Sequence, residues 1–349
     1  MREALLYKRL PGGGVRCQVC QWRCRIQPGA LGACKARQNI DQRLYALNYE
    51  DVTAAHIDHI EKKPLFHFYP GSKVYSLGTW GCNFHCRHCQ NWEISFAQSA
   101  REVGAQKMSP EESVQRAVRS GSQGIAWTYN EPTIWFEFTY DGARLAKEAG
   151  LYTVYVTNGY ITPEAMDMIG PYLDAFRVDV KGFKDIVYRE LARVPSVKGV
   201  LEMAQRAKEK WDMHVEVVTN VVPTMNDDDE QLEGIARWIA GSLGPTTPWH
   251  VTRFHPDHQL RHIPSTPLST LEKAYDIGQR AGLSFVYLGN VLGTGKENTI
   301  CPACGSLAIQ RIGFEADILG MEQGRCSHCK ADLNMRGGWS RCALSSSGA

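Results

Sequence analysis

Gly81-Cys82-Asn83-Phe84-His85-Cys86-Arg87-His88-Cys89-Gln90-Asn91-Trp92 follows directly on a β-rich run, Val74–Thr79. Its cysteines are spaced C-x3-C-x2-C. A structural zinc takes four protein ligands, so three thiols in eight residues do not complete one. A cubane iron–sulfur cluster has four irons and is ordinarily held by four cysteines. Three close cysteines with no fourth beside them leave one iron open to a substrate or cofactor. Cysteine triplets also occur as parts of zinc sites or as disulfide pairs, so the run has to be read with its surroundings.

Outward from this run, residues 71–290 alternate between short β-rich stretches and helical ones. The expected strands are Val74–Thr79, Gly124–Tyr129, Tyr152–Asn158, Phe176–Lys181, His214–Val222, Trp249–Phe254 and Phe285–Gly289. Most are continuous apolar runs, the pattern of parallel strands covered on both faces. Each gap is long enough for a crossover helix. Helix starts are marked by Ser109-Pro110, by Thr162-Pro163, by Asn226 before Asp227–Glu230, and by the capping box Ser269–Glu272. Six or seven βα units read as an α/β fold built on a parallel barrel, complete or partial. In such folds chemistry collects at the carboxyl ends of the strands, and the cysteine triplet lies on the exit loop of the first one.

The bulk numbers narrow the classes. The chain has 349 residues, 43% hydrophobic and 22% charged, with a formal net charge of +2. That balance gives no support for nucleic acid or an anionic membrane as partner. No apolar run approaches a membrane span, and the start is charged from Arg2 with no signal-like core, so a cytoplasmic location is expected. Twelve cysteines in such a setting argue for metal rather than disulfides. Three regions follow: a cysteine-rich segment 1–70, a barrel at 71–298, and a zinc-ribbon-like segment 299–349 whose tail, Ala343–Ala349, is expected to be disordered.

Both ends carry their own quartet. Cys301, Cys304, Cys326 and Cys329 form two C-x2-C knuckles, the bite of a four-cysteine zinc ribbon. An accessory cluster or rubredoxin-like iron is the alternative. Cys17, Cys20, Cys24 and Cys34 suit either zinc or an auxiliary cluster, because both use four thiolates. Cys342 is left over and reads as an incidental thiol.

Polar residues gather at the strand ends. Tyr129-Asn130-Glu131-Pro132 is either a plain turn or an acceptor group beside the cysteine loop. Thr157-Asn158-Gly159 is a common turn pair or a contact for a bound cofactor. Asp179 and Lys181 share one side of a strand, where they pair with each other or meet a ligand. In Trp249–His258, His250 reads as structural and His255 as the better substrate contact, with Arg253 a carboxylate binder or a packed residue. His56, His59 and Glu61 lie in a dense stretch, His56–Phe68, that reads as a loop lining the open side of the barrel rather than as a metal site.

With these residues in view the chain resembles the radical S-adenosylmethionine (SAM) superfamily, and within it the AmmeMemoRadiSam-system enzymes, relatives of pyruvate-formate-lyase-activating enzyme. Ile60–Phe68 with Pro70-Gly71, Gly81–Trp92 and Tyr129–Pro132 carry the match. Thr157–Gly159, Asp179–Gly182, Trp249–Asp257 and the first cysteine group also fit. The resemblance implies a partial (β/α)6 barrel with small metal-binding appendages at both ends. It implies a 4Fe–4S cluster on Cys82, Cys86 and Cys89, whose open iron chelates SAM, and reductive cleavage of SAM to a 5′-deoxyadenosyl radical. It implies SAM contacts at Tyr129, Asn130 and Glu131, where the family usually has Gly-Gly-Glu-Pro. Asn158, Asp179 and Lys181 are implied near SAM, and His88 where an aromatic residue commonly meets adenine. Partners implied are a flavodoxin- or ferredoxin-type electron donor and Memo-like and AMMECR-like proteins.

Two other classes compete. A zinc-dependent interaction module predicts zinc alone, and an electron carrier predicts clusters without SAM binding. The strand-end motifs argue against both. The substrate, whether a protein or a small molecule, is not defined by any motif, and no B12-binding signature is present.

Overall fold

The computed structural model describes residues 1–337. The expectations for Cys342 and the 343–349 tail lie outside the described residues. The centre is one eight-stranded sheet. Its strands are β1 (Ala54–His59), β2 (Lys73–Gly78), β3 (Gly124–Trp127), β4 (Tyr152–Thr157), β5 (Ala175–Asp179), β6 (His214–Val221), β7 (Trp249–Arg253) and β8 (Val286–Gly289). They lie side by side in chain order. Neighbours from β2 to β8 are parallel, and β1 pairs antiparallel with β2.

All seven apolar runs expected as strands are strands, within two residues at each end. Their residues are buried almost throughout because helices cover the sheet. The crossovers are α1 (Pro110–Arg119), α2 (Phe136–Glu148), α3 (Pro163–Ile169), α4 (Lys198–Trp211), α5 (Asp229–Trp238) and α6 (Leu268–Arg280). Six βα units thus precede a seventh parallel strand. Ser109 Oγ accepts from Glu112 N at 3.2 Å and Thr162 Oγ1 from Ala165 N at 3.2 Å, so both expected caps form.

Three local readings change. The cap of α5 is Asp228, which accepts from Gln231 N at 2.9 Å. Asn226 instead ties two exit loops, accepting from Val222 N and donating to Lys181 O at 2.8 Å. Helix α6 starts at Leu268 after Pro267, one residue ahead of the Ser269–Glu272 box, and no side chain caps it. The His56–Phe68 stretch is not one open loop. Its first part is β1, an edge strand with Thr53 preceding it, and its second part, Leu65–Phe68, is buried.

Before β1 the chain forms two small antiparallel sheets, one of Tyr7–Arg9, Val15–Cys17 and Arg25–Ile26, the other of Arg2–Glu3, Arg37–Ile40 and Arg43–Ala46. After β8, Thr299–Ile300, Leu307–Ile312 and Glu315–Ile318 form a third. That last unit shares an apolar core with the main sheet: Phe66, Phe285 and Tyr287 pack with Ile309, Met321 and Leu333. Arg311 closes the joint, donating to Phe66 O at 2.7 Å with its guanidinium over the Phe66 ring.

Candidate active site at the carboxyl edge of the sheet

The loop leaving β2 holds Cys82, Cys86 and Cys89. Its shape is set by contacts rather than by its own propensity. Gly81 has φ +84°, and a Cβ there would stand 2.7 Å from the Cys34 carbonyl oxygen. Only glycine fits. His85 N and Arg87 N donate to Ala192 O and Leu191 O at 3.1 and 2.9 Å, and Trp22 Nε1 donates to Asn83 O at 2.7 Å. Burial pushes all three thiols up, Cys86 to about 12, so they need bound cations to become thiolates.

The turn after β3 is clamped to this loop. Asn130 Oδ1 accepts from Thr79 N at 3.2 Å and its Nδ2 donates to Gly81 O at 2.7 Å. Asn91 Nδ2 donates to Tyr129 O at 2.7 Å. Tyr129 has φ +72°, a left-handed backbone that disfavours a side chain with a Cβ. Its ring is held in compensation: the hydroxyl donates to Asp58 Oδ2 at 2.8 Å, and Lys63 Nζ lies 4.7 Å from the ring centroid. Asp58 also accepts from Lys62 and Lys63 at 2.7 and 2.6 Å. Burial opposes the Asp58 charge, but the two lysines outweigh it and hold the carboxyl well below its usual range. Burial brings Lys63 down to about 8.

Glu131 is buried, and its carboxylate faces inward along the strand ends. It accepts from Thr133 N at 2.9 Å, Thr157 Oγ1 at 2.7 Å and Asn158 N at 2.7 Å. Burial pushes its pKa up despite these donors. Asn158 in turn donates from Nδ2 to Asn83 Oδ1 at 2.7 Å, joining the β4 end to the cysteine loop. After β5, Lys181 Nζ donates to Asp179 Oδ2 at 2.9 Å. Burial opposes ionisation of Asp179, but Arg177 and Lys181 bring it to about 2. His88 is buried near this pair; burial and the Lys181 charge bring its imidazole to about 3, and its Nδ1 has no partner. The structure therefore brings Tyr129, Asn130, Glu131, Asn158, Asp179, Lys181 and His88 to the same edge as the three cysteines.

Asp58, Asn83 and Asn91 were missed in the sequence because each meets a partner distant in the chain, and Arg177 because its pairing with Asp179, two residues on, carries no motif. The loop after β7 also reaches the site: His258 stacks on Trp92 with ring centroids 5.3 Å apart. His255 is exposed beside Ser265, and Arg253 Nε donates to Thr266 O. His250 is structural as expected, bonded to Glu216 at 2.6 Å. His56 points at the Tyr129 ring, while Glu61 accepts from Gly71 N, so no His56–His59–Glu61 site is assembled among the described residues.

The three cysteine groups differ in sulfur spacing. Among the described residues, only Cys301, Cys304, Cys326 and Cys329 bring three or more ligand atoms within 4.8 Å of one another. Their Cys301–Cys329 and Cys304–Cys326 distances are 3.6 and 3.7 Å. Four sulfurs at about 2.3 Å from one zinc stand about 3.8 Å apart in a tetrahedron, so a single ion fits this quartet. Cys82, Cys86 and Cys89 are wider. Their donor set suits a multi-iron core, whose thiolates sit on separate irons.

A family model of the radical SAM superfamily matches residues 77–239, from β2 through α5. The chain is also 44% identical over 337 residues to an uncharacterized protein of Methanocaldococcus jannaschii, covering 96% of this chain and 99% of that one. The chain belongs to the radical SAM superfamily. Two further relatives of this radical SAM enzyme are more distant. One is a putative glycyl-radical enzyme activating enzyme of M. jannaschii, 23% identical over 47% of this chain and 62% of its own. The other is the (2S)-3-sulfopropanediol dehydratase activating enzyme of Klebsiella oxytoca, 22% identical over 46% of this chain and 51% of its own. The chain thus spans only part of the length of both activating enzymes. Membership of the radical SAM superfamily implies a 4Fe–4S cluster and SAM as cofactors. No helix among the described residues is long and apolar enough to cross a membrane.

Proposed function

We propose that Cys82, Cys86 and Cys89 hold the SAM-cleaving 4Fe–4S cluster, with the fourth iron left for SAM. One observation carries the reading: three half-buried thiols on the β2 exit loop are locked by Asn130, Asn91 and Asn158 to the ends of β3 and β4. When bound, the cluster and SAM supply a 5′-deoxyadenosyl radical that takes hydrogen from the substrate. The chain's own residues bind, orient and shield. The Tyr129–Asn130 backbone offers carbonyl acceptors to the SAM ammonium. Glu131, already bonded three times, acts as a positioning residue for that turn. Asn158 and the Asp179–Lys181 pair would hold the SAM carboxylate and ribose, and His88 would meet adenine. Its buried, unpartnered Nδ1 supports a role in ligand contact rather than in packing.

In this reading the substrate is unidentified, and the likeness to two activating enzymes favours hydrogen abstraction from a protein. The finer assignment to an AmmeMemoRadiSam system rests on the Ile60–Phe68 and Gly81–Trp92 motifs, and brings with it Memo-like and AMMECR-like partners, a flavodoxin- or ferredoxin-type donor and a cytoplasmic setting. Zinc is assigned to Cys301, Cys304, Cys326 and Cys329 on their spacing. Anaerobic, reduced protein is expected to form 5′-deoxyadenosine from SAM, and a Cys82/Cys86/Cys89→Ala variant to form none. No product from the reduced, iron-loaded protein would sink the proposal.

A further inference from the structure

The amino-terminal quartet lines a small cavity that Arg37 and Ile134 complete. Cys17, Cys20 and Cys34 are buried and Cys24 is half-buried, and all four sit on its wall with Arg37. Their side chains do not draw together as those of the carboxy-terminal quartet do: no three of them come within 4.8 Å of one another. Around a single zinc the sulfurs would stand about 3.8 Å apart. Four thiols on one cavity wall at larger separation suit a core of several irons, each taking one thiolate.

Arg37 is the second observation. It is 2% exposed, and its guanidinium lines the cavity. Glu137 takes Nη1 and Nη2 at 3.1 and 2.7 Å, while Nε has no partner. A buried donor without an acceptor is costly, and a sulfide- or thiolate-rich anionic group in the cavity would supply one. A fully cysteine-ligated cubane carries net negative charge, which a neighbouring guanidinium favours.

The quartet is also in touch with the catalytic loop. The Cys34 carbonyl abuts Gly81, the residue before Cys82. Trp22, between Cys20 and Cys24, donates to Asn83 O at 2.7 Å. Cys20 and Gln21 bond across to Ile161 and Tyr160, beyond the β4 end. We infer that Cys17, Cys20, Cys24 and Cys34 hold a second, fully ligated 4Fe–4S cluster that relays electrons to the SAM-binding one. In that relay one electron enters from a low-potential one-electron protein donor, reduces the second cluster, and passes on to the first. No bond is made and no proton moves. The site stands on its own geometry; the relay role rests on the SAM-site assignment.

Iron, zinc and sulfide counts with Mössbauer spectra on the anaerobically purified full chain test it. About eight irons and one zinc per chain are expected. Cys20→Ser/Cys34→Ser and Cys82/Cys86/Cys89→Ala variants should each fall to about four irons, and the latter should keep a cluster whose reduced EPR signal ignores SAM. About four irons with two zincs in the wild-type chain would overturn the second cluster, whether or not the variants fold. Four irons in the wild type that persist in the triple-alanine variant would place a cluster at the amino-terminal quartet and sink the SAM-site reading instead. For the relay, Cys20→Ser/Cys34→Ser should slow 5′-deoxyadenosine formation more with a flavodoxin-type donor than with dithionite. Equal slowing with both would reject it.

Discussion

Glu131 and Glu216 are both buried, one at each end of the same sheet, and their surroundings push their charges in opposite directions. At the amino end, Glu216 accepts from Phe66 N and His67 N at 3.1 and 2.8 Å and bonds His214 and His250 at 2.9 and 2.6 Å. Burial opposes its charge, but the two histidines outweigh it and hold the carboxyl well below its ordinary value. At the carboxyl end, Glu131 meets three neutral donors and no cation, and burial wins. At the amino end both Glu216 oxygens are engaged, and they hold the Phe66 loop onto the sheet. The carboxyl end keeps polarity in reserve, with Asn83 Nδ2 and His88 Nδ1 unpartnered beside three thiols. The first carboxyl is a structural tie; the second, in the function proposed above, positions a turn for a ligand.

The largest break in this comparison is expected from Glu216→Ala. It strands two histidines and two backbone N–H groups, which should cost about 3–5 kcal/mol in urea denaturation. The milder Glu216→Gln should flatten the acid limb of the stability curve. A depressed carboxyl contributes stability above its ordinary value of 4.5, and that contribution is lost as pH falls below it. An unchanged acid limb in this variant would mean that Glu216 is not the ionised group of the joint.

At the other end, Glu131→Gln turns an NH2 toward an existing donor, for about 1–3 kcal/mol. Because Asn158 hangs on the same carboxylate, KM for SAM should rise with it. A stability loss with KM unchanged would make Glu131 a purely structural residue, like Glu216. Asn130→Ala removes two bonds to the cysteine loop, roughly 1 kcal/mol each, and should speed bleaching of the cluster absorbance in air. The smallest effect is expected from Tyr129→Phe, which loses only the bond to Asp58, about 1 kcal/mol by thermal melting.

The parallel strands were legible because strands covered on both faces read as unbroken apolar runs, as in Tyr152–Thr157. The site's location followed from where those runs stop. Strand β1 was not legible: an edge strand needs apolar residues on fewer positions, and His56 and Ile57 are exposed. The inward engagement of Glu131 was equally hidden, since its partners Thr157 and Asn158 are 26 and 27 residues away. Nor could spacing alone separate the two cysteine quartets. Ligand count is written in the sequence, but sulfur separation is a property of the folded loops.

Tyr129 stands where the family pattern has glycine, in a backbone conformation that a side chain resists by about 1–2 kcal/mol. The bonds that hold it there come from Asp58 in β1 and from Lys63 just after it. A glycine turn would carry no such cost, whereas this one is held by the edge strand beside it. The clamp that Asn91 and Asn130 place on the cysteine loop therefore leans, through Tyr129, on contacts from β1 and the turn after it. The shape of the metal-binding loop is thereby coupled to a distant edge of the sheet.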